Sequence, residues 1–339
     1  MNIEQYKGGL YGHFIGDALG VPFEFRKREL RDQHPCTDMV GYGSHNMPRG
    51  TWSDDTSMTI AGMDGLAVSL ENGNEDYESI SELVNYGSVM YRYWRWFRKS
   101  DYTPYGRTWG VGYATYDAIT RYSKGREPLL CGGVGERDNG NGSVMRALPI
   151  AIFVHHLSQA TPTSIDEKME IFHNFASLTH RHKRSQMACG IYCLIALEIM
   201  EDKADLEASI NNAIDKAIDY YSNNPSFKEE YHHFDRIFSK NIGNLERDEI
   251  KSGGYVISTV EASIWCLLNN NNYKDTVLEA VNLGYDADTT ACSVGALAGL
   301  YYGYGDIPKE WLDSLVHYDY IDGLVEKFTT QLSQRVGGE

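Results

Sequence analysis

The chain has 339 residues, of which 42% are hydrophobic and 23% charged, an ordinary globular composition that suffices for one large domain or two smaller ones. The formal net charge is −16, which disfavours nucleic acid and anionic membranes as general partners. An anionic small ligand would also be repelled unless its site supplied cations or backbone donors.

Hydrophobic residues recur with helical spacing along the whole chain, without the alternation typical of strands. The predicted helices cover residues 3–20, 55–71, 77–98, 105–123, 143–157, 165–178, 184–200, 204–222, 255–269, 273–283, 288–303 and 316–333. No repeat, linker or composition shift divides them. The sequence therefore predicts an all-α fold and a single compact domain over residues 1–339.

The N-terminal segment lacks the basic region and the uninterrupted apolar run of a signal peptide, and no segment approaches the ~18 apolar residues of a membrane span. The six cysteines are scattered, and Cys189 and Cys193 are spaced one helical turn apart, as expected for a core face. We expect a cytoplasmic protein with reduced thiols.

Two long segments with little periodicity, 21–52 and 124–142, are expected to be functional loops because such loops are uncommon in compact domains. The first follows a glycine-spaced helix, and places Glu24 between Phe23 and Phe25. A carboxylate in such surroundings suits proton transfer. An exposed loop glutamate is the alternative.

Residues 49–63, RGTWSDDTSMTIAGM, place Asp54 and Asp55 beside the hydroxyl of Ser53 at the start of a predicted helix. A second cluster, Asp286 and Asp288 with Thr289, also precedes a helix, which is rich in small residues and can approach its neighbours closely. Each cluster alone could be a helix cap.

Four carboxylates at the buried ends of core helices would repel each other unless a cation lay between them. Carboxylate and hydroxyl oxygens suit Mg²⁺, Mn²⁺ or Ca²⁺, and two clusters could hold a pair of ions roughly 3.5–4 Å apart. Sequence spacing leaves open whether the clusters meet.

Between these clusters, Gly140, Gly142 and Ser143 are predicted to open a helix, whose N-terminus would offer backbone N–H groups to a phosphate. An ordinary loop with Ser143 as N-cap is the alternative. His180 and His182 follow at a helix junction, where a histidine either forms structural hydrogen bonds or, beside basic neighbours, contacts an anionic ligand.

In this order, the motifs resemble the ADP-ribosylglycohydrolase family. The matching stretches are GDALGVPFEF at 16–25, GTWSDDTSMT at 50–59, GERDNGNGSVMR at 135–146, LTH at 178–180, GGYVISTVEASIW at 253–265 and GYDADTTA at 284–291. The resemblance implies an all-α fold with a central two-metal cleft that usually holds Mg²⁺ or Mn²⁺.

The resemblance also implies roles for individual residues. Ser53, Asp54 and Asp55 would bind the metals from one side. Asp286, Asp288 and Thr289 would bind from the other, with Asp288 bridging. The residues expected to contact ADP-ribose are Asn139, Gly140, Asn141, Gly142, Ser143, Met145, His180 and Tyr255, the last near the leaving group. Glu24 would lie over the distal ribose.

The implied activity is hydrolysis of the bond between C1″ of the distal ribose and a protein side chain. Glu24 and Asp55 are the candidates for proton transfer, and Asp288 is expected to be essential for turnover. ADP-ribosylarginine is the favoured substrate, because acidic cleft walls and Tyr255 suit a guanidinium. Serine, a nucleic-acid base or a small ester as leaving group stays open, as does a non-catalytic ADP-ribose binder.

Overall fold

The computed structural model describes residues 3–74, 76–203 and 205–336. Within these ranges it contains fifteen α-helices. They are α1 Ile3–Gly20, α2 Arg28–Gln33, α3 Asp54–Asn72, α4 Tyr86–Lys99, α5 Tyr113–Ser123, α6 Leu148–Ser158, α7 Ile165–Ser177, α8 Lys183–Glu201, α9 Leu206–Ser222, α10 Asp235–Phe238, α11 Val256–Leu268, α12 Tyr273–Asn282, α13 Ala287–Tyr302, α14 Lys309–Leu312 and α15 Tyr318–Val336.

Extended pairing within the described ranges is confined to isolated bridges, which join Tyr42 to Met47, Gly133 to His180 and Gly140 to Tyr255. Short 3₁₀ turns supply much of the remaining structure. They lie at Val21–Phe23, Ile80–Leu83, Pro128–Leu130, Glu136–Asp138, Asn141–Ser143, Pro225–Phe227, Tyr231–Phe234, Ile242–Asn244, Arg247–Glu249 and Tyr304–Asp306. The all-α prediction is confirmed.

Several predicted helix starts were too early, and local features of the backbone explain the differences. The helix predicted over 77–98 begins at Tyr86, because Asn85 caps it by accepting a hydrogen bond from the Ser88 backbone N–H. The helix predicted from 105 begins at Tyr113, because Gly106 and Gly110 adopt left-handed backbone angles of +68° and +79°.

Two further predictions differ from the structure. The helix predicted from Ser143 begins at Leu148, because Ser143 ends a 3₁₀ turn and residues 144–146 form a further turn. The helix predicted over 204–222 begins at Leu206 behind the N-cap Asp205, and residue 204 lies outside the described residues. The short helix α2, within the predicted loop 21–52, was missed.

The helices α1 and α13 pack with their backbones in direct contact along a row of glycines. A Cβ atom placed on Gly12 would lie 2.2 Å from the carbonyl oxygen of Gly295, and one on Gly16 would lie 2.2 Å from that of Ala291. At the end of the row, a Cβ on Gly20 would lie 2.3 Å from Cα of Asp288. Because no side chain separates the helices, the end of α1 lies against the N-terminus of α13.

The apolar faces of helices from both halves of the chain form one hydrophobic core cluster. All six cysteines fall within the described residues, where they are buried and unpaired, and Cys189 and Cys193 lie in this core as predicted. Among the described helices, none combines the length and apolar composition needed to cross a bilayer.

Candidate active site

The two acidic clusters, far apart in sequence, meet where the N-termini of α3 and α13 converge. Oxygens of Asp55, Asp288 and a third residue, Asp17, all lie within 4.8 Å of one another. A second group at the same spacing comprises Glu24, Asp286 and Asp288. Asp288 belongs to both groups, so the carboxylates form a continuous set.

Asp17 of α1 was missed by the sequence reasoning. Its two carboxylate oxygens accept hydrogen bonds from the Ser53 backbone N–H at 3.1 and 2.9 Å, and Oδ2 also accepts from the Thr56 N–H and Oγ1 at 3.0 and 2.6 Å. It therefore satisfies free N–H groups at the start of α3 and fixes that helix on α1. The available signal was an acid placed between glycines in the apolar second half of α1.

The carboxylates of the set are held in an environment that disfavours their charge. Burial is the main cause, and repulsion between neighbouring acids adds to it, so the pKa of Asp54, Asp55 and Asp288 is raised well above its ordinary value. Burial also raises the pKa of Asp17 and Asp286 to about 6, although hydrogen bonds to both oppose the shift. A cation bound among these oxygens would instead stabilise the charged form of the carboxylates.

The donor set fits a hard divalent cation, because it consists of carboxylate oxygens with hydroxyls beside them. Ser53 donates its hydroxyl to Asp55 Oδ2 at 2.9 Å and accepts from the Asp55 backbone N–H at 3.1 Å. Ser53 is thus the N-cap of α3 as well as a neighbour of the acidic set. Thr289 is buried beside Asp288, whose Oδ1 accepts from the Thr289 N–H at 2.9 Å.

Glu24 is held by a tight turn, residues 42–47, which belongs to the long loop predicted to be functional. The Ser44 hydroxyl donates to the Glu24 carbonyl oxygen at 2.6 Å, and His45 Nε2 bonds to Glu24 Oε2. The ring of His45 in turn packs 5.0 Å from that of Trp109. The carboxylate of Glu24 is therefore paired with a histidine, and its side chain is 15% exposed.

The glycine-rich loop contacts the second acidic cluster through Asn141. Its Nδ2 donates to Asp286 Oδ2 at 2.7 Å and to Thr259 Oγ1 at 3.0 Å. Asn139, by contrast, supports the loop from behind, accepting from the Ser185 hydroxyl at 2.9 Å and, through its carbonyl oxygen, from the Val256 N–H at 3.1 Å.

His180 is buried against the same loop. Its Nδ1 bonds to Thr179 Oγ1 at 2.8 Å, and a Cβ on Gly142 would lie 2.7 Å from its Cε1, so only glycine allows this packing. Burial, aided by the charge of Arg146, lowers the pKa of His180 to about 3, and the ring is neutral at physiological pH. His182 is the N-cap of α8, which is the structural alternative considered for it.

These groups line a cavity of 640 Å³, within the range of small-molecule sites. Its lining residues are Glu24, Phe25, Asp54, Asp55, Gly110, Val111, Gly112, Tyr113, Ala114, Thr115, Arg137, Gly140, Asn141, Gly142, Met145, His180, Gly253, Gly254, Tyr285, Asp286, Asp288 and Thr289. Among them, Arg137 is the one side chain with a fixed positive charge, and it was not singled out from the sequence.

Four of the expected site residues lie outside this lining. Asn139, Ser143 and Ser53 are buried, and the Ser53 hydroxyl bonds to Asp55. Tyr255, the residue before α11, contacts Arg184 instead, whose guanidinium is also bonded to Glu136. The sequence motif did not distinguish the residues that line the cavity from those that do not, because adjacent loop residues can face opposite sides of the loop.

The fold and site together define an all-α protein whose cavity ends in a buried set of carboxylates suited to divalent cations. A sequence profile described as ADP-ribosylglycohydrolase matches residues 2–337, and the chain belongs to this family. The predicted resemblance is thereby confirmed.

Individual relatives are similar over nearly the whole chain. The ADP-ribosylarginine hydrolase Tri1 of Serratia proteamaculans is 31% identical over 330 residues, which cover 96% of this chain and 79% of that protein. The ADP-ribosyl-[dinitrogen reductase] glycohydrolase of Rhodospirillum rubrum is 28% identical, covering 91% and 89%. A solved structure titled ADP-ribosylglycohydrolase-related protein complex matches with a TM-score of 0.72 at 25% identity, covering 97% and 98%.

Proposed function

We propose that this protein removes ADP-ribose from modified proteins by hydrolysing the bond between C1″ of the distal ribose and an arginine side chain. The observation that carries the proposal is the convergence of two acidic helix N-termini on one cavity. The substrate linkage is supported by relatives named as ADP-ribosylarginine hydrolases, at 31% identity over nearly the whole chain.

The cofactors in this proposal are two divalent cations, Mg²⁺ or Mn²⁺. The residues that would hold them are Ser53, Asp54 and Asp55 on α3, and Asp286, Asp288 and Thr289 on α13. Asp288 is assigned to both ions, since its oxygens lie near both groups of acids. Bound there, the ions would neutralise the carboxylates and polarise oxygens of the substrate.

The nucleotide part of the ligand is assigned to the glycine-rich side of the cavity. Gly140, Asn141 and Gly142 would contact the pyrophosphate and the proximal ribose. Met145 and His180, which also line the cavity, would contact the ligand beside this loop. A neutral His180 can form a hydrogen bond there without adding charge.

Arg137 would supply the cation that an anionic ligand needs in a protein of net charge −16. Asn139 is assigned to support the loop through its bonds with Ser185 and Val256, and the buried Ser143 is given no contact with the ligand. Tyr255 is given no part in the chemistry, because it faces Arg184.

Glu24 is the stronger candidate for proton transfer. Both oxygens of Asp55 are already engaged, Oδ2 by the Ser53 hydroxyl and Oδ1 by the Cys292 thiol at 3.1 Å. Glu24 reaches the cavity and is oriented by His45. Its carboxylate would accept a proton from the water that attacks C1″ as the C1″–N bond breaks, and the departing guanidine would end with that proton.

The test is a panel of arginine-, serine-, cysteine- and base-linked ADP-ribosyl substrates, incubated with Mg²⁺, Mn²⁺ or chelator. Release of free ADP-ribose from the arginine-linked substrate, only with a divalent cation, is the expected result. Release from another linkage alone would reassign the substrate. No release from any linkage, with ADP-ribose still bound, would make the protein a binder.

A further inference from the structure

Two aromatic residues at the mouth of the cavity are exposed, although nothing in the core requires them. Phe25 is 73% exposed and Tyr285 is 42% exposed, and both line the cavity. Phe25 directly follows Glu24, and Tyr285 directly precedes Asp286. Their backbones are joined, because the Phe25 N–H donates to the Tyr285 carbonyl oxygen at 2.5 Å. Both residues therefore line the cavity directly beside acids to which the proposed function gives a role.

Both residues also hold an unfavourable backbone conformation. Their φ angles are +62° for Phe25 and +58° for Tyr285, in the left-handed region that glycine adopts freely and bulky residues rarely do. The Tyr285 N–H donates to the Arg26 carbonyl oxygen at 2.7 Å, which helps to fix this arrangement. Since neither ring fills the core, the strain and exposure suggest a role in binding.

The surroundings indicate what the rings bind. A guanidinium is a planar cation that stacks on aromatic faces and bonds to carboxylates, and this mouth offers both kinds of group. We propose that Phe25 and Tyr285 hold the arginine side chain of the substrate and select the arginine linkage. This inference rests on the proposed function, which assigns proton transfer to Glu24 and metal binding to Asp286.

The position of Tyr285 also fits a substrate that is a protein. Tyr285 and Gly253 are shared between the active-site cavity and an adjoining groove of 600 Å³. Charged side chains of both signs line that groove, among them Glu29, Asp248 and Lys251. An arginine entering the cavity would pass over Tyr285, and the polypeptide that carries it would continue into the groove.

The test compares Phe25→Gly and Tyr285→Gly, which remove each ring and tolerate the backbone angle. His317→Gly is the matched control, because His317 is exposed at a φ of +56° but is not part of the cavity lining. Each ring deletion should lower kcat/KM on an arginine-linked protein about tenfold. Affinity for free ADP-ribose and for Mn²⁺ should stay unchanged, and Tyr285→Phe should keep wild-type kcat/KM.

The outcomes separate this inference from the proposed function. If the wild-type protein releases no ADP-ribose from arginine, the proposed function fails before any variant is considered. If the wild-type protein is active and both glycine variants match His317→Gly, the inference is overturned. It is also overturned if the glycine variants lose affinity for free ADP-ribose to the same extent as kcat/KM, since the rings would then bind the nucleotide. Thermal unfolding of each variant establishes that it is folded.

Discussion

Replacing Asp288 by asparagine should stabilise the metal-free protein while abolishing its response to divalent cations. Asp288 lies within 4.8 Å of carboxylates in both acidic groups. Two unit charges at that distance repel by about 3.5 kcal/mol at an effective dielectric constant of about 20. Protonation relieves part of this repulsion, since burial and the neighbouring acids raise the pKa of these groups. A net gain of about 1–3 kcal/mol in unfolding free energy is therefore expected.

The assay is denaturant unfolding in chelator and in saturating Mg²⁺ or Mn²⁺. The unfolding free energy of the wild-type protein should rise by about 2.7 kcal/mol when the free ion concentration is 100 times its dissociation constant. Asp288→Asn should have a higher unfolding free energy than the wild-type protein in chelator, and the ion should raise that free energy little. The variant should also lose turnover. Asparagine keeps the acceptor that the Thr289 N–H uses, so the start of α13 is preserved.

Asp64 on α3 provides the control. It too is buried, but hydrogen bonds from Tyr102, Lys327 and Arg92 outweigh burial and hold its pKa below the ordinary value. Asp64→Asn should therefore destabilise the protein in chelator and leave the response to ions intact. If Asp288→Asn destabilises the chelated protein as Asp64→Asn does, or keeps the wild-type response to ions, the reasoning about a repulsive carboxylate set is wrong.

Four other changes test separate parts of the site and core. Glu24→Gln should lower kcat by about 100-fold while leaving the Kd of ADP-ribose, measured by calorimetry, largely intact. Asn141→Ala should weaken Mn²⁺ binding by about tenfold, measured by titration, because Asp286 loses its amide donor. Arg137→Ala should weaken ADP-ribose binding by about tenfold at low salt and by less at high salt, since one exposed charge–charge contact is removed. Burial lowers the pKa of His173 to about 3, so as the pH falls the unfolded chain takes up a proton on this residue before the folded protein does. Relative to His173→Gln, the wild-type protein should therefore lose about 2 kcal/mol of unfolding free energy between pH 6.5 and 5, measured by denaturant unfolding.

Each of these expectations has an outcome that contradicts it. Equal loss of turnover and ADP-ribose affinity would make Glu24 a binding residue. An unchanged Mn²⁺ affinity would show that Asn141 does not orient Asp286. A salt-independent effect at Arg137 would argue against a charge contact. Parallel stability curves for His173→Gln and the wild-type protein from pH 7 to 5 would exclude a buried neutral imidazole.

The sequence was most informative where structure is decided by neighbours along the chain. Helix α1 was predicted with its observed bounds, and the acidic clusters were correctly placed at helix starts. The helix expected from Ser143 began later, because Ser143 ends a 3₁₀ turn and a further turn at 144–146 precedes Leu148. The two-metal assignment, the bridging role of Asp288, the single domain and the cytoplasmic location stay predictions.

The all-α class, the family and the pairs of acids at the starts of α3 and α13 were predictable from the residues alone, because periodicity, capping and motif order are properties of the linear chain. The tertiary structure alone decided that these acids meet, that Asp17 fixes α3 on α1 and that His45 orients Glu24. These contacts depend on the glycine row that lets α1 and α13 touch and on the fold of the loop 42–47. Such contacts join residues whose separation along the chain carries no information about their distance in space.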